Sequence, residues 1–402
     1  MKIMVTCGIA DIVADAERDL RREGEGFGTS FAVQARRLFI EQGLEGVLIC
    51  CNERGGEILR DGVLSINIPR WWDEKSSWQF HLSRIVYGIK MAVYAKKSRV
   101  DLAVIDSGTA HYFSLVAFKL AGVPVAVNFH NVRWPIGYEP KGGVRGIVRK
   151  LDSWFFRRVP IAVLGCSPEC GFQARTDGAG HLPFFMWTGQ FMRDGFRQPP
   201  SSQDASAPFR LLFAGRIERN KGVFDLLTLA SSLKGRPGRQ VLIEFCGDGS
   251  VLNELRSEVE RLGLTEIVLI RGRLSGVELA EAYLRNDALI VPTRGDFCEG
   301  MPLVCAEAVL SGKPVITSRL SNALPVLGGA IAEAEPQIIE SYLSIIEAMV
   351  DRPGFYERHQ AACADVSAQF FDRSQSYAAA LDRLIEFSRP GYTRLTNYDN
   401  LF

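Results

Sequence analysis

Between residues 209 and 317, short apolar runs alternate with longer segments whose apolar residues recur at helical spacing, and few folds accept that alternation. The runs 210–214, 241–246, 267–270, 288–291 and 315–317 are too short for helices and are apolar on both faces. Between them, 223–234, 251–262, 277–285 and 303–311 read as helices. Buried strands joined by helical crossovers predict a parallel sheet covered on both sides. The first half repeats the pattern more loosely. Strands are expected at 3–6, 47–51, 102–106, 125–128 and 161–166, and helices at 29–42, 79–96, 110–120 and 144–157. Residues 198–208 are rich in Pro, Ser and Ala and lack apolar periodicity, which marks a linker. The chain therefore reads as α/β, with two Rossmann-like, doubly wound domains facing a central cleft. The first spans 1–197 and the second 209–388, with a tail at 389–402. In such sheets ligands bind at the carboxyl ends of the strands, which here should line the cleft.

A length of 402 residues is ample for two cores. Lys and Arg number 47 against 46 Asp and Glu, and this balance argues against a nucleic-acid-binding protein. The nine cysteines form no C-x-x-C pair and sit in apolar segments, as buried thiols do in a reducing compartment. The opening apolar run is too brief for a signal-peptide core. The longest uncharged stretch of apolar character, 178–192, is shorter than a membrane span. A soluble, cytoplasmic protein is expected. There is no D-x-D carboxylate pair, no phosphate loop of the G-x4-G-K-[ST] type, no H-E-x-x-H, no G-x-S-x-G, and no Cys/His set with zinc spacing.

Three segments carry chemistry. In Phe297-Cys298-Glu299-Gly300-Met301-Pro302-Leu303, Pro302 suits the first turn of a helix. Glu299 then precedes that turn, and Glu307 lies more than a turn inside. Eight helical residues span about 12 Å, so the two carboxylates can hold separate parts of one elongated ligand. The helix start between them offers free N–H groups and a positive dipole end, which suit phosphate. Taken alone, the pair also fits a capping Glu299 and a solvated Glu307. The second segment, Gly215-Arg216-Ile217-Glu218-Arg219-Asn220-Lys221-Gly222, follows the first strand of the second domain. It places Arg216 and Lys221 where a bidentate fork and a point charge can neutralise a diphosphate. The third, Gly247-Asp248-Gly249, lets backbone approach a ligand closely, although an ordinary strand-to-helix turn has the same composition.

In this order, and followed by Gly312-Lys313-Pro314-Val315, these pieces resemble the retaining glycosyltransferases of family 4, which have the GT-B fold. The resemblance covers about residues 209–320. It implies that Arg216 and Lys221 bind the donor diphosphate, with Gly215 and Gly247 beside it. Glu299 would hold donor-sugar hydroxyls with the backbone of Gly300, Met301, Pro302 and Leu303, and Glu307 the ribose. Arg273 and Leu274 would meet the nucleobase through their backbone. In the first half, His130 ends an apolar strand where the family has a histidine facing sugar and acceptor. Gly26, Gly28 and Thr29 resemble the family's glycine loop near the diphosphate or acceptor. The catalytic set implied is His130, Arg216, Lys221 and Glu299.

The resemblance further implies a metal-independent, retaining transfer from a nucleotide-diphosphate sugar to a glycan or lipid-linked glycan in polysaccharide or glycolipid biosynthesis. The first domain would bind acceptor and the second donor. The final helix, 373–387, and the tail would pack toward the first domain. The sequence departs from the family at 181–187, where an Asn-Gly-Val-Asp stretch is often found. Two other functions fit parts of the pattern: a nucleotide-sugar epimerase of the same fold, and a non-catalytic nucleotide-sugar-binding subunit. Residues 141–158 combine six cations, one acid and Trp154-Phe155-Phe156. Such a segment can rest on an anionic membrane, with Trp71, Trp72 and Trp78 contributing, or can be a solvated face over core aromatics.

Overall fold

The computed structural model describes residues 1–17, 28–70, 77–196, 207–389 and 391. Gly26, Trp71, Trp72, most of the 198–208 linker and nearly all of the tail lie outside them.

The strands, in chain order, are β1 (Lys2–Thr6), β2 (Gly28–Thr29), β3 (Glu45–Cys50), β4 (Gly56–Arg60), β5 (Val63–Asn67), β6 (Leu102–Asp106), β7 (Val125–Phe129) and β8 (Val163–Gly165). They continue with β9 (Phe184–Met186), β10 (Gln190–Phe191), β11 (Phe209–Ala214), β12 (Val241–Cys246), β13 (Val268–Gly272), β14 (Ala288–Val291), β15 (Val315–Thr317) and β16 (Ile331–Glu333). The first domain is a sheet ordered β4-β5-β3-β1-β6-β7-β8-β9, parallel except for the β4–β5 hairpin. The second is all parallel, ordered β13-β12-β11-β14-β15-β16. In both sheets the winding direction reverses beside the first strand, between β1 and β6 and between β11 and β14. A crevice opens at such a reversal.

The central strands are buried throughout because helices cover both faces. All residues of β6 and β7, for example, are buried. Local chemistry sets several helix ends. The helix predicted over 29–42 runs Phe31–Glu41, because Ser30 caps it by accepting a hydrogen bond from the Val33 amide. Gly276–Arg285 starts with a reciprocal capping box between Ser275 and Glu278. The helix predicted over 110–120 opens as a 3-10 turn, Tyr112–Leu115, before Val116–Ala121. The predicted final helix divides at Ser376, whose hydroxyl caps Tyr377–Ser388 after a short 3-10 turn at Arg373–Gln375. The β4–β5 hairpin, β9, β16 and the two-stranded β2–β10 ribbon have no counterpart in the sequence prediction.

The helix Tyr377–Ser388 was placed by the sequence in the second domain, but its residues Tyr377, Leu381, Leu384 and Ile385 are buried in the first domain's core. The Ala378 amide donates to Gln34 Oε1, and the Gln42 amide to Asp382 Oδ1 at 2.7 Å. Described residues of the second domain therefore end before Tyr377. The chain returns to the first domain at this helix, as the resemblance implied, so only the boundary drawn at 388 moves. All nine cysteines are free thiols, eight of them buried. Among the described residues, no helix is long and apolar enough to cross a membrane.

Candidate active site

A cavity of about 690 Å³ occupies the cleft between the two sheets. Its walls include His130 from the first domain and Arg216, Lys221, Glu299, Leu303 and Glu307 from the second. Six residues named from three separate segments thus face one space.

The basic turn is held rigidly. Gly215 follows β11 at φ 146° and leads into Arg216, which is exposed to the cleft. Lys221 closes a 3-10 turn, and Gly222, at φ 75°, starts the following helix. A side chain at Gly222 would meet the Pro292 carbonyl oxygen at 2.2 Å, so the turn must pack backbone to backbone against the loop after β14. Lys221 Nζ lies 3.9 Å from the Phe297 ring centroid, and the Arg216 guanidinium lies 5.3 Å from it. The aromatic face thereby holds both cations on one side of the cavity.

Glu299 is buried, and its carboxylate pairs with Lys221 and accepts a hydrogen bond from Thr293 Oγ1 at 3.4 Å. Asn322 Nδ2 fixes the Glu299 carbonyl at 2.6 Å. The helix Leu303–Leu310 begins after Pro302 with no side-chain cap, so its first N–H groups remain available beside the cavity. Glu307 lies one turn in and is oriented by Tyr283 OH, 2.8 Å from Oε2. Burial pushes the Glu307 carboxyl above its ordinary range, and the Tyr283 bond pulls the other way.

Across the cleft, His130 follows β7. Its Nε2 lies 2.5 Å from Asp106 Oδ1, and a carboxylate there can only accept, so the imidazole donates. Asn128 Nδ2 also donates to Asp106 Oδ1, and Trp187 Nε1 donates to Asn128 Oδ1, each at 2.9 Å. Phe31 covers the imidazole with ring centroids 4.2 Å apart. Burial raises the Asp106 carboxyl's pKa, against the pull of His130 and Asn128. This chain of contacts locks the ring's tautomer and orientation. Asp106, Asn128, Trp187 and Phe31 were not singled out from the sequence. The available signal was Asp106 itself, a carboxylate ending the otherwise apolar strand β6 beside the reversal of winding.

Gly300 seals the two domains together. A Cβ there would stand 1.9 Å from the His130 carbonyl oxygen and 2.7 Å from Cys166 Sγ. Met301 and Pro302 line the cavity with Leu303. Gly28 and Thr29 form β2, paired with Phe191 and Gln190, and this ribbon delivers Ser30 and Gln190 to the cavity edge. Of the expected residues that are described, Gly28, Thr29, Gly247, Arg273, Leu274 and Gly300 do not line the cavity. Gly247 packs against the neighbouring loop, where a Cβ would meet the Gly215 carbonyl oxygen at 1.7 Å. Arg273 is exposed and Leu274 half-buried, both directly after β13. Among the described residues, no three His, Cys, Asp or Glu side chains cluster so as to hold a metal ion.

Two wound sheets with a charged cavity at their facing strand ends define a GT-B architecture. Solved structures agree. Sucrose-phosphate synthase from Thermosynechococcus elongatus superposes with a TM-score of 0.69 at 15% identity, covering 96% of this chain and 98% of that one. Anabaena HepE in complex with UDP superposes with 0.66 at 15% identity, covering 96% and 99%. Residues 196–330 match the model of the family Glycosyl transferases group 1. The chain therefore contains a glycosyl transferases group 1 domain on a GT-B fold. The D-inositol 3-phosphate glycosyltransferase of Arthrobacter sp. (strain FB24) is 27% identical over 196 residues, 45% of each chain. The match thus spans about half the length of that curated relative.

Proposed function

We propose that the chain is a retaining, metal-independent glycosyltransferase that moves a sugar from a nucleotide-diphosphate sugar to a hydroxyl of a glycan or lipid-linked glycan, in polysaccharide or glycolipid biosynthesis. The observation that carries this reading is the convergence of Arg216, Lys221, Glu299 and Glu307 on one cavity, with His130 opposite. Arg216, Lys221 and the start of Leu303–Leu310 neutralise the diphosphate as its charge grows. Metal independence follows from assigning that task to them. Glu307 takes the ribose diol and Glu299 the sugar hydroxyls, and Arg273 and Leu274 meet the base by their backbone. His130 faces the sugar and acceptor. The reaction is a front-face displacement. The bond from the anomeric carbon to the phosphate oxygen breaks with its electron pair going to phosphate. The acceptor oxygen then bonds to the same face, and its proton passes to the leaving phosphate. Glu299 is already engaged by Lys221, and this supports a binding role for it over that of a covalent nucleophile.

The test combines nucleotide-sugar screening by thermal shift with donor hydrolysis and transfer, beginning with uridine diphosphate sugars because HepE was solved with UDP. Lys221→Ala and Arg216→Ala should each lower kcat by about 10²–10³. Near-normal transfer by both variants would reject the diphosphate assignment. A trapped glycosyl ester on Glu299 would reject front-face attack, and an inverted anomer in the product would reject retention.

A further inference from the structure

The helix Gly143–Phe156 carries an apolar face left largely open among the described residues, with the Arg158 guanidinium over Trp154. Val144 is 60% exposed, Ile147 62%, Leu151 43% and Trp154 43%. At 100° per residue these four fall within about 80° of arc, a single stripe. Phe155 and Phe156, from the same aromatic run, are buried and anchor the helix. The stripe is flanked by exposed Arg145 on one side and exposed Lys150 and Arg157 on the other. Lys141, Arg145 and Lys150 form no ion pair among the described residues. Between this helix and Pro168–Asp177 opens a cavity of about 430 Å³, bordered by Trp154, Arg149, Lys150, Arg157 and Arg158. Arg149 also pairs with Glu139 and Asp177 there. Neighbouring helices of the same layer add exposed Ile89, Val93, Leu120 and Phe172.

Charge decides what covers this face. Residues 77–177 hold fourteen Lys/Arg against six Asp/Glu, and Asp106, Asp152 and Asp177 are buried, as is the side chain of Arg133, which pairs with the last two. Of the rest, Asp101 accepts from the Lys2 amide and Glu139 pairs with Arg149. The outward field is positive over an apolar ridge that a water-facing helix has no reason to keep. We propose that this helix layer docks in the plane of an anionic bilayer. The stripe enters the acyl boundary, the flanking cations sit at the phosphates, and one lipid phosphate occupies the cavity beside Trp154. The helix lies parallel to the surface and does not span it. The surface rests on exposure and charge alone, independently of the transfer reaction. Trp78, 62% exposed, lies on another helix of this layer.

The experiment is co-sedimentation of the full chain with vesicles of phosphatidylcholine alone or mixed with phosphatidylglycerol. Binding to the mixed vesicles should be at least tenfold stronger and should weaken as salt rises. Ile147→Glu/Leu151→Glu and, separately, Arg145→Glu/Lys150→Glu should each lower it at least tenfold. Circular dichroism should be unchanged, and so should the thermal shift produced by UDP. Absence of vesicle binding, equal binding to neutral vesicles, or undiminished binding by both double variants would overturn the proposal. So would a dimer in solution that the stripe variant dissociates while vesicles are ignored.

Discussion

Adding one methyl group at Gly300 should separate catalysis from folding. The Gly300→Ala Cβ would stand 1.9 Å from the His130 carbonyl oxygen, and real Cβ contacts essentially never fall below 3.0 Å. The obstacle is backbone on the opposite domain, so no rotamer relieves it. The domains must separate locally by about 1 Å. Misplacing reacting groups by that distance costs about 10²-fold in rate, or about 2.7 kcal/mol of barrier. Gly300 has no positive φ and contributes no side chain to the hydrophobic clusters. The melting temperature should therefore shift by less than about 3 °C. Because the proposed donor groups sit on the second domain, nucleotide affinity should change by less than about threefold. The loss would then appear in kcat for transfer. Steady-state kinetics, nucleotide titration and a melting curve on one preparation give all three values. Unchanged kcat in Gly300→Ala would refute the reasoning, because the contact between Gly300 and His130 would then be absent from the reactive state.

Tyr283→Phe removes the hydroxyl 2.8 Å from Glu307, leaving burial to raise that carboxyl's pKa further. Nucleotide binding should weaken about tenfold, roughly one hydrogen bond to a charged group, and its decline on acidification should move to higher pH in titration calorimetry. Asp106→Asn should cut kcat at least tenfold and shift its pH profile by disturbing the His130 tautomer, with the UDP-induced thermal shift retained. A structural role alone would leave the profile in place. Glu244 is opposed by its burial but held to a pKa of about 2 by hydrogen bonds from Arg285, Asn286 and Arg271. Its stabilisation is complete above about pH 4.5 and is lost as pH falls through about 2. It amounts to about 2–3 kcal/mol once the partial exposure of both arginines is discounted. Denaturant titrations of Glu244→Gln should be correspondingly weaker at neutral pH and flatter across that window. An unchanged acid profile would contradict the assignment.

The strands and helices of the second domain were legible because each strand is a short, uninterrupted apolar run between Gly-rich turns, which admits one period. Even there the prediction 267–270 became Val268–Gly272, since Gly272 continues the ladder to Cys246 across an irregular register. In the first domain the sheet's edge escaped notice. Strand β4 alternates exposed and half-exposed residues and is held only by β5, so composition gives it no apolar signature. The helix Tyr377–Ser388 follows the second domain in sequence. Nothing local says that its buried face fits the first domain, because an amphipathic stripe specifies burial without naming a partner.

The two sides of the cavity differ in legibility for a chemical reason. A diphosphate demands cations and free N–H groups, and a ribose demands a carboxylate. These residue types are conspicuous on Gly-flanked loops, and each motif is contiguous. The opposite wall of the proposed site presents one imidazole supported by Phe31, Asp106, Asn128 and Trp187, and the five residues arrive from four places across 157 residues of chain. Aromatic and amide side chains there look like ordinary core until the sheet gathers strand ends β6 and β7 beside Trp187. In one dimension His130 marks the wall, because it directly follows a strand of uniformly buried residues where a polar side chain needs a partner. Its partner, Asp106, ends a strand at the next position in the sheet. Pairing polar residues at the carboxyl ends of adjacent predicted strands would have exposed the dyad before any coordinates existed.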